Sequence, residues 1–199
     1  MNNLRKVITN TITNVQIVQA VPNDIEIKIF DRSILLSETD ANGIINYTNR
    51  RYLALTGFTE EELIGSPHKI VRHPDMPRGV FKAMWKIIRD KKIWRGYVKH
   101  LCKDGSYFWT LSYVQAKLDE NGQIIGYVST GKIAYEETKK EVENKYFELM
   151  GHEHLDHKYF MASESYYETQ ILKKDYLSEC IAEVKSSRSK LAEVRNYHE

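Results

Sequence analysis

The stretch VRHPDMP, Val71 to Pro77, groups a guanidinium, an imidazole and a carboxylate around two prolines. Pro74 and Pro77 each limit φ and push the residue before them away from helical geometry, so the stretch is a rigid connector whose side chains are held in place. Arg72, His73 and Asp75 there form either a local salt-bridged turn that braces the next helix or a polar latch for something bound. A second group lies in IWRGYVKHLC, where Trp94, Val98, His100 and Cys102 alternate onto one face of an expected strand and share an environment. A third, HEHLDH at 152–157, invites a metal reading. On a helix His152 and His154 point in nearly opposite directions and only His154 and His157 share a face, so no metal site is expected. The chain has no phosphate-cradling glycine loop, no G-x-S-x-G and no H-E-x-x-H, and no enzymatic activity is expected.

The elements that must position these groups can be read from turns and periodicity. SILLSETDANGIINYTN is two β-rich runs around an Asp-Ala-Asn-Gly turn, a hairpin. Asn49 or Thr48 caps RRYLALTG, which Gly57 ends, and Thr59 with Glu60 to Glu62 opens a further turn that Gly65 stops. From Pro77, the residues Val80, Phe81, Met84, Trp85 and Ile88 recur at three and four, a helix with one buried stripe. IWRGYVKHLC, SYFWTLSYVQAKL and QIIGYVSTGKIA follow as an antiparallel meander joined at Lys-Asp-Gly and Glu-Asn-Gly. Tyr107, Trp109, Leu111 and Tyr113 are expected to be core or a surface for helix packing. The first thirty residues are ambiguous: Ile8, Ile12, Val15 and Gln19 suit a helical face, while Ile25, Ile27 and Ile29 alternate like a strand. The resulting order is α+β: an N-terminal cap at 1–32, a mixed domain at 33–134 and a helical tail at 135–199. Leu177, Ile181, Val184, Leu191 and Val194 keep an a/d rhythm in that tail, a possible coiled coil.

Bulk properties narrow the class. The chain has 199 residues, 29 Lys and Arg against 27 Asp and Glu, and a formal charge of +2, which leaves no electrostatic footprint for nucleic acid or anionic lipid. No apolar run approaches the roughly 18 to 20 residues of a membrane span, and the first twenty residues are too polar for a signal peptide, so a cytoplasmic location without direct membrane insertion is expected. Cys102 and Cys180 match neither a metal motif nor a disulfide framework and are expected to be reduced thiols.

The order of elements, together with ETDANGIINYTNRRYLALTGFTEEELIGSPHKIVRHPDMPRGVFKAMWKIIRDKKIWRGYVKHLCKDGSYFWTLSYV, resembles a PAS sensor domain. More narrowly, GSPHKIVRHPDMP followed by FKAMW, a second Trp and KDGSYFW is similar to the FAD-binding PAS domains of bacterial aerotaxis and energy-taxis receptors. The match runs over roughly residues 35–134, and RHPDMP is its specific part. The resemblance implies a five-stranded antiparallel sheet with a helical flank enclosing FAD, whose redox state reports respiratory electron flow. The family's flavin-site positions fall on Asn49, His68, Arg72, His73, Asp75 and Trp94. Arg72 can fork to a phosphate or a flavin carbonyl, and an indole can stack on the isoalloxazine.

Where the family usually carries Asn, this chain has His100. Asn offers donor and acceptor together, whereas neutral His carries them on separate nitrogens and can become charged near neutral pH. His100 is therefore kept as a seventh cofactor-binding candidate. SPHKIVRH lacks cysteine, which argues against the photoadduct of light-sensing PAS relatives. The tail carries neither the membrane anchor nor the signalling rod of single-chain receptors, so the chain resembles the soluble PAS protein of a two-protein energy-taxis receptor. Its expected partner is a membrane chemoreceptor signalling protein, with a homodimer or hetero-complex formed through the helices. Two other readings stay open: a haem- or small-ligand-binding PAS sensor using His68 and His100 as axial ligands, and a cofactor-free PAS dimerisation module.

Overall fold

Asn10 decides how the chain begins. Its Oδ1 accepts from the backbone N–H of Ile12 (2.9 Å) and Thr13 (3.0 Å), and Asn14 takes φ 58°, so β1 (Val7–Thr9) reverses into an antiparallel β2 (Gln16–Val18). A short polar side chain that bonds its own backbone competes with helix, and the helical face read for Ile8 to Gln19 gives way to a hairpin for that reason. Ile8 and Gln19 are buried, whereas Ile12 and Val15 face outward. The alternation at Ile25 and Ile27 becomes a parallel bridge at Glu26: Tyr107 N–H donates to the Ile25 carbonyl and Ile27 N–H to that of Tyr107.

The computed structural model describes residues 6–29 and 34–152. Asp40 turns β3 (Leu35–Asp40) into β4 (Ile45–Thr48) by accepting from the N–H groups of Asn42 (2.8 Å) and Ile44 (2.9 Å), with Gly43 at φ 81°. Asn49 then caps α1 (Arg50–Thr56), and Gly57 ends it in the left-handed region at φ 73°. Thr59 and Glu62 exchange the two bonds of a capping box at the start of α2 (Glu60–Leu63). A 3₁₀ turn, His68–Val71, leads through the proline connector to α3 (Arg78–Arg89).

β5 (Trp94–Leu101), β6 (Tyr107–Leu118) and β7 (Ile124–Ile133) complete one antiparallel five-stranded sheet in the order β4-β3-β7-β6-β5, as the expected α+β fold requires. β5 and β6 pair without interruption from Trp94 opposite Val114 to Leu101 opposite Tyr107. α1, α2 and the 3₁₀ turn bury Tyr52, Leu55, Leu63 and Ile70 against Leu35, Ile45 and Phe108. Across the sheet, α4 (Glu136–His152) buries Val142, Tyr146 and Leu149. Tyr146 donates to the Tyr97 carbonyl (2.8 Å) and its ring stacks on Trp109, so the β6 face around Trp109 is a helix-packing surface. The heptad positions of the tail and the rest of HEHLDH beyond His152 lie outside the described residues. Among the described residues no helix is long and apolar enough to cross a membrane.

The N-terminal hairpin is clamped to the domain by two buried amides. Asn10 Nδ2 donates to the Ile64 carbonyl (2.7 Å), and Gln19 Nε2 to those of Ile70 (2.7 Å) and Lys69 (3.0 Å). A Cβ on Gly65, which sits at φ 86°, would lie 2.6 Å from Asn10 Oδ1, so the close approach needs glycine. Asn10→Ala leaves buried carbonyl and N–H groups unpaired and is expected to cost about 1–3 kcal/mol. Urea denaturation of the two proteins measures it, and a loss below about 0.5 kcal/mol, the scatter of ordinary surface substitutions, would show that the clamp carries little.

Candidate functional site

Residues 65–72 run from one edge of the sheet to the other. At β4, Ile45 N–H donates to the Ser66 carbonyl (2.9 Å), Gly65 N–H to that of Ile45 (2.8 Å) and His68 N–H to that of Gly43 (2.9 Å). At β5, Arg72 forms an antiparallel backbone bridge with His100. This strap and α3 enclose, with the inner face of the sheet, a cavity of about 310 Å³. Phe81, Met84, Trp85 and Ile88 of the α3 stripe line it, so the stripe faces the cavity as well as the core.

Of the seven residues nominated from sequence, His68, Arg72, Trp94 and His100 line this cavity. The other three lie elsewhere. Asn49 is spent on main chain: its Oδ1 accepts from Tyr52 N–H (3.0 Å) and Leu36 N–H (3.3 Å), and its Nδ2 donates to the Ile34 carbonyl (2.8 Å). His73 is buried edge-on against Tyr107, with Nδ1 accepting from Asp75 N–H (3.1 Å). Asp75 pairs with the Lys99 ammonium at 2.9 Å, on the face of β5 that looks away from the cavity.

The polar lining is built of imidazoles and hydroxyls. His68 Nε2 bonds Ser37 Oγ (2.9 Å). His100 Nε2 bonds Thr110 Oγ1 (2.9 Å), which in turn bonds Ser112 Oγ (2.7 Å), and the His100 ring stacks on Phe108. Burial pushes His100 down to about 3, with His68 nearby adding to the effect, and pushes His68 down to about 4. His68 is only partly exposed, at the point where it lines the cavity. Burial thus favours the neutral form of both rings at pH 7, against the charging near neutrality that an exposed His100 could undergo. Burial first, then the Lys99 ammonium, lowers His73 to about 4 against the pull of Asp75.

Arg72 is fixed in plane by donating to the Met76 carbonyl (3.0 Å) and by stacking 4.1 Å over Phe81. Trp94 lies along its own strand, and a Cβ on Gly96 would sit 2.4 Å from the indole, so glycine is what lets the ring lie there. The hydroxyls of Ser37, Thr110 and Ser112 escape a search for ionisable motifs. Their signal is period two: Thr110 and Ser112 fall on one strand face, as Trp94, Val98 and His100 do. The arrangement can hold a mostly apolar ring system edge-on to neutral donors and acceptors, with one guanidinium beside it.

The PAS fold family matches residues 45–131. Those residues are a PAS domain. The chain is 36% identical over 116 residues to the aerotaxis receptor of Escherichia coli K12, covering 58% of this chain and 23% of the receptor. It is 24% identical over 97 residues to the nitrogen fixation regulatory protein of Klebsiella pneumoniae, covering 49% of this chain and 20% of that protein. The chain thus spans a quarter or less of these relatives. In structure it is similar to the dark state of the blue-light photoreceptor aureochrome1 LOV, with a TM-score of 0.51 and 24% identity over 56% of this chain and 83% of that one, a likeness of fold.

The lowered imidazoles set the sign of the pH dependence of this PAS domain. Between about pH 6.5 and the folded values, the unfolded chain holds protons on His68, His73 and His100 that the native state does not. Stability is therefore full above about pH 6.5 and falls as the pH drops through that window. Urea melts at pH 7, 6 and 5 are expected to show the fall, and His100→Asn to make it shallower by one proton. Constant stability from pH 7 to 5 would contradict neutral burial.

Proposed function

We propose that the PAS domain binds the isoalloxazine of FAD in this cavity and acts as a redox sensor in energy taxis, passing its signal to a partner chemoreceptor by conformational change. The observation that carries the reading is the lining itself: neutral imidazole–hydroxyl pairs, flanking indoles and one oriented guanidinium around about 310 Å³. This donor set fits a flavin. The His100–Thr110–Ser112 chain offers both donors and acceptors to a pyrimidine edge, Arg72 suits a carbonyl or phosphate oxygen, and Trp85, Trp94 and Val98 suit the ring faces. When bound, a flavin supplies a redox couple whose reduction changes charge and hydrogen bonding at the ring.

The chain's own residues carry such a change outward. His100 and Lys99 are neighbours on β5, one facing the cavity and the other facing Asp75 and, at 3.5 Å, Glu143 of α4. A shift of the strap or of β5 therefore alters how α4 sits, and in a cytoplasmic protein α4 is the element that a membrane chemoreceptor, or a second copy, would read. The similarity to an aerotaxis receptor supports the taxis assignment. A catalytic role is not proposed. The haem alternative is weakened because the Nε2 atoms of both His68 and His100 already bond hydroxyls.

Freshly purified protein is expected to show a flavin absorption spectrum and to release FAD on heating, identified by chromatography. Arg72→Ala, folded by circular dichroism, is expected to weaken FAD about tenfold or more, the value of a hydrogen bond to a charged group. A colourless protein that refuses added FAD would end the reading, and unchanged affinity in Arg72→Ala would remove Arg72 from the site.

A further inference from the structure

The N-terminal hairpin turns an apolar, uncharged surface outward. From Val7 to Asn23 the chain has no charged side chain, although 28% of the whole sequence is charged. In β1 and β2, Ile8 opposes Ile17 on the side packed against the core, which turns Val7 and Val18, also directly opposed, the other way. Val7 is 53% exposed and Val18 52%, with Ile12 at 68% and Val15 at 55% around the turn and Val21 at 47% just after β2. Single exposed apolar residues are ordinary, whereas a group of them on one hairpin marks a contact surface. Among the described residues β1 and β2 pair only with each other, and neither edge of this small sheet carries the charged side chains with which soluble proteins blunt an edge. The buried amides of Asn10 and Gln19 hold the hairpin from behind, so the face is presented already ordered.

We propose that this face is the interface of a two-fold homodimer, the hairpin of each copy covering that of the other. Two observations select a second copy of the chain over another occupant. A face without charge offers nothing for a partner of opposite charge to read, and a two-fold contact sets like against like, which a neutral surface meets without repulsion. The size also fits: with exposed Thr9 and Gln16 beside them, the five apolar residues offer about 500 Å² per copy, about 1,000 Å² in the pair, the lower bound of a specific interface. The interface would bear on the cavity. Gln19, the residue after Val18, donates to the carbonyls of Lys69 and Ile70, so a second copy pressing on β2 presses on the strap that carries His68 and Arg72. The inference stands independently of the flavin reading.

Sedimentation equilibrium of the full chain over a concentration series, at low and high salt, tests it. A dimer is expected whose dissociation constant changes little with salt, because the contact is uncharged. Val7→Lys and Val18→Lys each place two ammonium groups in one contact, and each is expected to weaken the dimer at least about tenfold with the circular dichroism unchanged, high salt restoring part of the loss. Ile125→Lys, at a similarly exposed apolar residue of β7, is expected to leave the dimer as it is. A monomer at every concentration overturns the proposal. A dimer that both hairpin variants leave intact overturns it as well, since the association then lies elsewhere in the chain. So does a monomer that binds phosphatidylcholine vesicles and loses that binding in Val18→Lys, which makes the face a membrane contact.

Discussion

Main-chain pairing of one strap with both edges of the sheet is the constraint on which the cavity depends. Edge strands expose a row of backbone donors and acceptors, and β4 and β5 are the two edges here. The strap satisfies part of each row, through Gly65, Ser66 and His68 at β4 and through Arg72 at β5. Pro74 and Pro77 make this possible by denying the connector a helix that would turn its backbone groups inward. Met76 extends the cover, with its sulfur 3.3 Å from Lys99 N. With both ends pinned, His68 and Arg72 have little choice but to face the same space as Trp94 and His100.

β5 divides two electrostatic regimes. On its inner face, burial keeps His100 neutral and the polar groups answer one another through hydroxyls. On its outer face Lys99 is nearly buried, with Asp75, Glu143 and the ring of Tyr107 around its amine. A β5 wall that carries no charge of its own suits a ligand whose charge changes, because that wall neither masks nor opposes the ligand's field.

Local chemistry was legible in the sequence and long-range partnership was not. Asp-Ala-Asn-Gly, Lys-Asp-Gly and Glu-Asn-Gly announce three turns, and Asn49 and Gly57 announce both ends of α1, because each acts on backbone within a few residues. The N-terminal hairpin was hidden: the amide of Asn10 is completed by carbonyls more than fifty residues away. RHPDMP was visible as a rigid polar connector, yet only the fold reveals that its arginine faces the cavity while its aspartate pairs with Lys99. Ser37, Thr110 and Ser112 carried no signal alone, since a hydroxyl acquires meaning only beside the imidazole it bonds.

That split of Arg72 from Asp75 gives the connector its mechanical sense. Lys99 is too desolvated to stand without a counter-charge, and its two carboxylates come from different elements, the connector at 2.9 Å and α4 at 3.5 Å. Displacing the connector from the cavity side lengthens the Asp75 contact, and the ammonium then leans on Glu143. Displacing α4 does the reverse. The two carboxylates compete for one nearly buried side chain, so Lys99, which touches both, couples the position of the connector to that of α4.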